Sequence, residues 1–182
     1  MENKDKLSRV TITLHWIVAL AMITMVAIGF YMMSQHAFGL ISYHKSMGVI
    51  VLVVAFVRVL WRYHQGWPEP VRRYPRFEHL LAHAVHWILI LATLLMPLSG
   101  LVSSVVGGKG ISVFGVVLIA ANRGADGKPV AFNEFIANAG GAIHTILAYV
   151  LLVAIILHVI GALKHHWIDK DDTLKRMLGR RS

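Results

Sequence analysis

The chain has 182 residues, of which 57% are hydrophobic and 15% charged. Soluble domains carry about 45–50% apolar and about 25% charged residues, so this composition excludes an ordinary soluble enzyme, a disordered chain and a fibrous protein, and indicates one domain in a membrane. A formal charge of +9 suits nucleic acid in a soluble chain, but here the basic residues lie outside the apolar runs and no nucleic-acid motif is present; the absence of cysteine excludes disulfides, thiolate metal sites and covalent c-type haem.

A bilayer core is crossed by about 20 apolar residues in a helix. Four stretches meet that length. Residues 12–33 contain no charge, and 43–63 carry only Lys45, Arg58 and Arg62 near their ends. Residues 79–105 and 142–163 contain no Lys, Arg, Asp or Glu. The first run is longer than a signal-peptide core and no small-residue cleavage pattern follows it, so it is expected to remain as a helix. The connection 64–78 holds three prolines and is expected to be a short basic loop. Pro97 and Gly100 are expected to kink the third span. Residues 106–141 form a longer glycine-rich connection; its apolar piece 111–120 (ISVFGVVLIA) is too short to span and is expected to lid the outer face. The fold class that follows is all-α: an integral membrane four-helix bundle, residues 1–182 forming one domain. Four spans put both termini on one side, and that side collects fourteen of the 18 Lys and Arg. Only Lys45, Lys109, Arg123 and Lys128 fall opposite. The positive-inside rule then makes both termini cytoplasmic, in a bacterial inner membrane.

An ionisable side chain within a span is costly and marks a functional path more often than it marks lipid contact. A lone histidine is readily explained by a hydrogen bond to a neighbouring helix; here the histidines form a pattern. His144 and His158 stand near opposite ends of span four. Their 14-residue separation is about 21 Å of rise and leaves them about 40° apart around the helix, so they share a face at two depths. Span one begins near the inner side with His15, and span two begins near the outer side with His44. Depth alone therefore pairs His15 with His158 and His44 with His144. Histidine pairs on facing helices of a bundle hold b-type haem without a covalent link. Two haem b groups are expected, with His15 and His158 on the inner iron and His44 and His144 on the outer. Zinc needs three or four ligands at one depth and fits this pattern poorly.

Arg58 follows His44 by the same 14 residues and so sits on the His44 face at the inner level. It is a candidate partner for a haem propionate; snorkelling to the interface is the plainer alternative. His79, His83 and His86 share one face of span three near the inner side, and interfacial solvation accounts for His79. His83, His86 and, seven residues beyond His158, His165 are candidates for quinone or propionate contacts.

These segments resemble the bacterial cytochrome b561 family. The resemblance covers nearly the whole chain: TLHW at 13–16, YHKSMG at 43–48, VRVLWR at 57–62, LAHAVHW at 81–87, IHTILAY at 143–149, ILHVIGALKHH at 156–166 and the closing KDDTLKRM at 170–177. It implies a four-helix, dihaem, quinone-linked cytochrome of the inner membrane, with haem ligands at His15, His44, His144 and His158. It also implies electron transfer across the membrane between an outer donor, superoxide in some members, and ubiquinone. Lys45, Lys109, Arg123 and Lys128 are candidates for steering such an anion, although 106–141 is the least typical part of the chain. Two alternatives stand beside this: a membrane-anchor cytochrome b subunit passing electrons from a partner dehydrogenase or hydrogenase to quinone, and a haem-free bundle such as a transporter or assembly factor. The sequence leaves a homodimer through lipid-facing surfaces open.

Overall fold

In a computed structural model, residues 7–66 and 75–179 are described. Arg72 and Arg73 of the proline-rich connection lie outside the described residues, as do Lys4, Lys6, Arg180 and Arg181. The chain is mostly helical. Helices α1 (Arg9–Ser34), α2 (Ile41–Gln65), α3 (Arg76–Val106) and α4 (Glu134–Trp167) are joined by a short 3₁₀ turn at Phe38–Leu40, and by a hairpin of β1 (Ile111–Val113) and β2 (Val116–Ile119). A short α5 (Thr173–Met177) follows. The four long helices are each long and apolar enough to cross a membrane.

Helix starts follow local chemistry. Ser8 Oγ accepts from the Thr11 amide at α1, and Asn133 Oδ1 accepts from the Ile136 amide at α4, each satisfying an orphan donor of a first turn. Helix α3 runs through Pro97 as one helix. The closest helix pair is α3 against α4, and small residues permit it. A Cβ on Gly140 would lie 3.0 Å from both Ser103 N and Ser99 O, and one on Gly107 would lie 3.6 Å from Ala137 Cβ. Small side chains let backbones approach in membrane bundles, where van der Waals contact drives association.

The core is a dry band at mid-height. Val18, Met22, Met25 and Val26 of α1 meet Val51 and Ala55 of α2, Ala92 and Met96 of α3, and Leu151 of α4. Leu151 is fully buried. It lies seven residues from both His144 and His158, as Val51 does from His44 and Arg58. Each helix thus carries a polar group, an apolar plug and a second polar group two turns apart on one face. Leu20, Val53, Leu91 and Ile160 point outward, as lipid-facing residues must.

Both described chain ends meet at one end of the bundle: Trp16 Nε1 donates to Met177 O at 2.8 Å, tying α5 to α1. The opposite end is covered by the β-hairpin, a structure that the largely apolar 111–120 segment does not announce. Its two-residue turn has Phe114 at φ 46° and Gly115 at φ 91°, the positive values a tight right-twisted hairpin requires. Ser46 anchors it, accepting from Phe114 N at 3.0 Å and standing 3.2 Å from Ser112 O. Lys45 Nζ and Ser104 Oγ both donate to Gly110 O, each at 2.9 Å.

Candidate functional site

Two histidine pairs lie inside the bundle, one above and one below the dry core. At the hairpin end, the rings of His44 (α2) and His144 (α4) have centroids 6.2 Å apart. At the terminal end, His15 (α1) and His158 (α4) are also 6.2 Å apart. All four rings are half-buried. One ion bonded at about 2 Å by an imidazole nitrogen on either side, with about 1 Å from nitrogen to ring centre, separates two ring centres by about 6 Å. Two neutral imidazoles at this spacing are able to grip a metal between them.

The hairpin-end pair is held by backbone. His144 Nδ1 donates to Met96 O at 2.7 Å, which fixes the ring and leaves Nε2 for a ligand. The ring reaches that carbonyl only because residue 100 is glycine: a Cβ there would sit 2.8 Å from His144 Nδ1 and 2.9 Å from Cε1. Gly29 of α1 faces the partner ring more loosely, at 3.7 Å from His44 Cε1. His44 Nδ1 is buried with no protein hydrogen-bond partner. A buried ring nitrogen without a protein partner is costly unless something outside the chain satisfies it.

Side chains hold the terminal-end pair. Arg58 Nη2 lies 3.3 Å from His15 Nδ1. A guanidinium only donates, so it meets His15 from the opposite electrostatic sense to the Met96 carbonyl at His144. Trp16 packs edge-on against His15 at 5.6 Å, and Trp61 Nε1 donates to Thr11 Oγ1 at 3.0 Å one turn below.

The remaining sequence candidates separate. His86 joins the terminal-end pair, its ring 5.1 Å from that of His158, while its other side is exposed on the bundle surface. Its depth matches that of His158, so the count that paired the ligand candidates also reaches it. His83 accepts from Trp87 Nε1 at 2.9 Å and stacks on His79 at 6.4 Å, both on the outer surface of α3. His165 has carboxylate neighbours: Nδ1 lies 2.8 Å from Asp169 Oδ2 and 3.4 Å from Asp171 Oδ2. Lys164 bridges Asp169 to Glu78 at 3.0 and 2.7 Å, joining α4, α3 and the tail. His165, Asp169 and Asp171 converge closely enough to hold a cation, but Lys164 already neutralises Asp169. Of the cations opposite the termini, Arg123 bonds Gly127 O at 2.6 Å and Lys128 lies 3.8 Å from Asp126, both within their own loop.

The model of the prokaryotic cytochrome b561 family matches residues 6–180. The chain belongs to that family. The cytochrome is thus a membrane b-type cytochrome of electron transport, and haem b is the cofactor the family implies. It is 36% identical to cytochrome b561 homolog 2 of Escherichia coli (strain K12), over 92% of this chain and 88% of that one. It is 28% identical to the probable superoxide oxidase CybB of Yersinia pestis, over 97% of each chain. It is 29% identical to cytochrome b561 homolog 1 of Escherichia coli (strain K12), over 97% of this chain and 99% of that one. Family membership accounts for an apolar bundle that carries half-buried histidine pairs between its helices. Neither the haem-free bundle nor a zinc protein agrees with it.

Proposed function

We propose that the cytochrome holds two haem b groups, His44 and His144 gripping one and His15 and His158 the other, and conducts electrons between a donor at the hairpin end and ubiquinone at the terminal end. The observation that carries this is the repeated 6.2 Å spacing of two imidazole pairs on either side of one apolar band. The unpartnered His44 Nδ1 and the glycine that admits the His144 ring fit a haem held by imidazole alone. Haem held by two histidines would supply a one-electron couple suited to electron transfer and not to oxygen binding.

The protein's own residues do the rest. Met96 O orients His144, and Leu151 and Val51 exclude water between the two levels. His86 touches the terminal-end pair from the lipid-exposed side of α3, where a lipid-soluble quinone arrives, and is the favoured quinone contact. His83 lies one turn nearer the surface and His165 is engaged by the tail, so both rank behind it. Arg58 remains a candidate for a propionate. Residues 1–182 act as one transmembrane domain in the bacterial inner membrane, both termini cytoplasmic, as the distribution of Lys and Arg supports.

Superoxide is the donor we favour, since the Yersinia pestis relative is named a probable superoxide oxidase. Lys45, next to His44 in the chain, reaches the hairpin at Gly110 O, the residue after Lys109, and the two cations would attract an anion there. A second reading, a membrane-anchor subunit fed by a partner protein, draws support from β2, whose residues Val116–Ile119 are apolar and exposed. Stopped-flow mixing of superoxide with the purified cytochrome in ubiquinone-loaded vesicles decides between them. Direct haem reduction followed by quinol formation is expected. No reduction by superoxide, with reduction restored by a co-purified partner, establishes the second reading instead.

A further inference from the structure

The two histidine pairs are equal in spacing but opposite in what stands behind one ring of each. At the hairpin end, His144 Nδ1 donates to the Met96 carbonyl at 2.7 Å. A carbonyl accepting from the far nitrogen makes an imidazole a stronger electron donor to a metal and favours the oxidised iron. At the terminal end, His15 Nδ1 faces the Arg58 guanidinium at 3.3 Å. Arginine has no acceptor and keeps its charge at any relevant pH; with Nε2 on a metal, Nδ1 carries the ring proton, so Arg58 faces it as a second donor and acts on the site through its charge alone. A fixed cation in a low-dielectric interior also disfavours the extra positive charge of an oxidised iron. Arg62 adds a second cation one turn further along the same face of α2. At the hairpin end Lys45, adjacent to His44 in sequence, turns its ammonium onto Gly110 O of the hairpin at 2.9 Å, and among the described residues no hydrogen bond joins a cation to either ring of that pair.

We propose that Arg58 is a positioning residue that makes the terminal-end haem the more oxidising of the two, so that one-electron transfer from the hairpin end to the terminal end runs downhill. The exchange makes and breaks no bond and needs no further reactant. This rests on the haem ligation proposed above.

The test is an equilibrium redox titration of the full-length purified cytochrome, followed by its visible spectrum. His44→Ala, which retains only the terminal-end haem, identifies that wave. In the unsubstituted protein the terminal-end wave is expected at the higher potential. Arg58→Gln is expected to lower it by at least 59 mV, a tenfold change in a one-electron equilibrium, with the other wave unmoved. Arg58→Lys, which keeps the charge, is expected to hold it above the other. A terminal-end wave at or below the other in the unsubstituted protein overturns the proposal, and that reading stands even where Arg58→Gln fails to assemble. A terminal-end wave that holds or rises in Arg58→Gln also overturns it. Haem content measured on the same samples tests the ligation separately: a protein without two haems defeats the ligation, whereas two haems in the wrong order defeat only the role of Arg58.

Discussion

Gly100→Ala is a one-carbon perturbation aimed at one histidine pair. The added Cβ would stand 2.8 Å from His144 Nδ1 and 2.9 Å from Cε1, closer than side chains approach one another. The ring has little freedom to retreat, because α3 and α4 are already in backbone contact at Gly140 and the Nδ1–Met96 O bond defines its place. Overpacking of this kind costs about 1–3 kcal/mol. Losing the hydrogen bond adds about 1 kcal/mol. Alanine's better helix propensity returns about 1 kcal/mol. The net cost of about 1–3 kcal/mol falls on His144, and so on the hairpin-end haem, whose affinity drops by about one to two orders of magnitude. Haem quantitation and reduced-minus-oxidised spectra on the purified variant read this directly, with loss or weakening of one haem and retention of the other expected. Gly29→Ala is the matched control, because its Cβ would meet His44 Cε1 at an ordinary 3.7 Å and should leave both haems in place. Two unaltered haems in Gly100→Ala would refute the reasoning that this glycine admits the His144 ring.

Ser46→Ala removes the hydroxyl that meets Phe114 N and Ser112 O, taking two part-buried hydrogen bonds from the hairpin at about 1 kcal/mol each. Protease cleavage within 111–119 should accelerate while the helices stay intact; an unchanged digest would show that the hairpin does not depend on this anchor. The tail has a pH limit of its own. The hydrogen bond from Lys164, with help from His165, holds the Asp169 carboxyl below the usual carboxylate range. Its folded-state value is depressed, so its contribution is complete above the unfolded value of about 3.9 and is lost as pH falls through the folded one. Hydrogen exchange in 169–177 should therefore stay slow through mildly acid pH and quicken only below about pH 4. Loosening already near neutrality would contradict the clasp.

Much of this was legible in the sequence because helices convert residue number into depth at a fixed rise. His15, His44, His144 and His158 sort by that count alone, and the structure brings the same four into two pairs. The count also puts His86 at the inner level, but residue number alone does not show that its ring meets that of His158. The hairpin was not legible. Residues 111–120 lack the alternation of a half-buried strand, and the turn uses Phe114 where a glycine or asparagine would have signalled it. The supports of each pair were hidden for a different reason. Met96 contributes a backbone carbonyl that no residue identity encodes, and Gly100 reads as a helix breaker until the His144 ring lies against it. The tail's hold on α1 through Trp16 and Met177 O joins two ends of the chain that no local pattern connects.

The central claim is that two imidazole pairs hold two separate haems. Haem content and spectra of the purified chain, with His44→Ala and His158→Ala measured alongside, test it most directly. The account predicts two b-type haems in the unsubstituted chain and the loss of one, a different one, in each variant. A folded protein with no haem, or variants that each keep both, would contradict it.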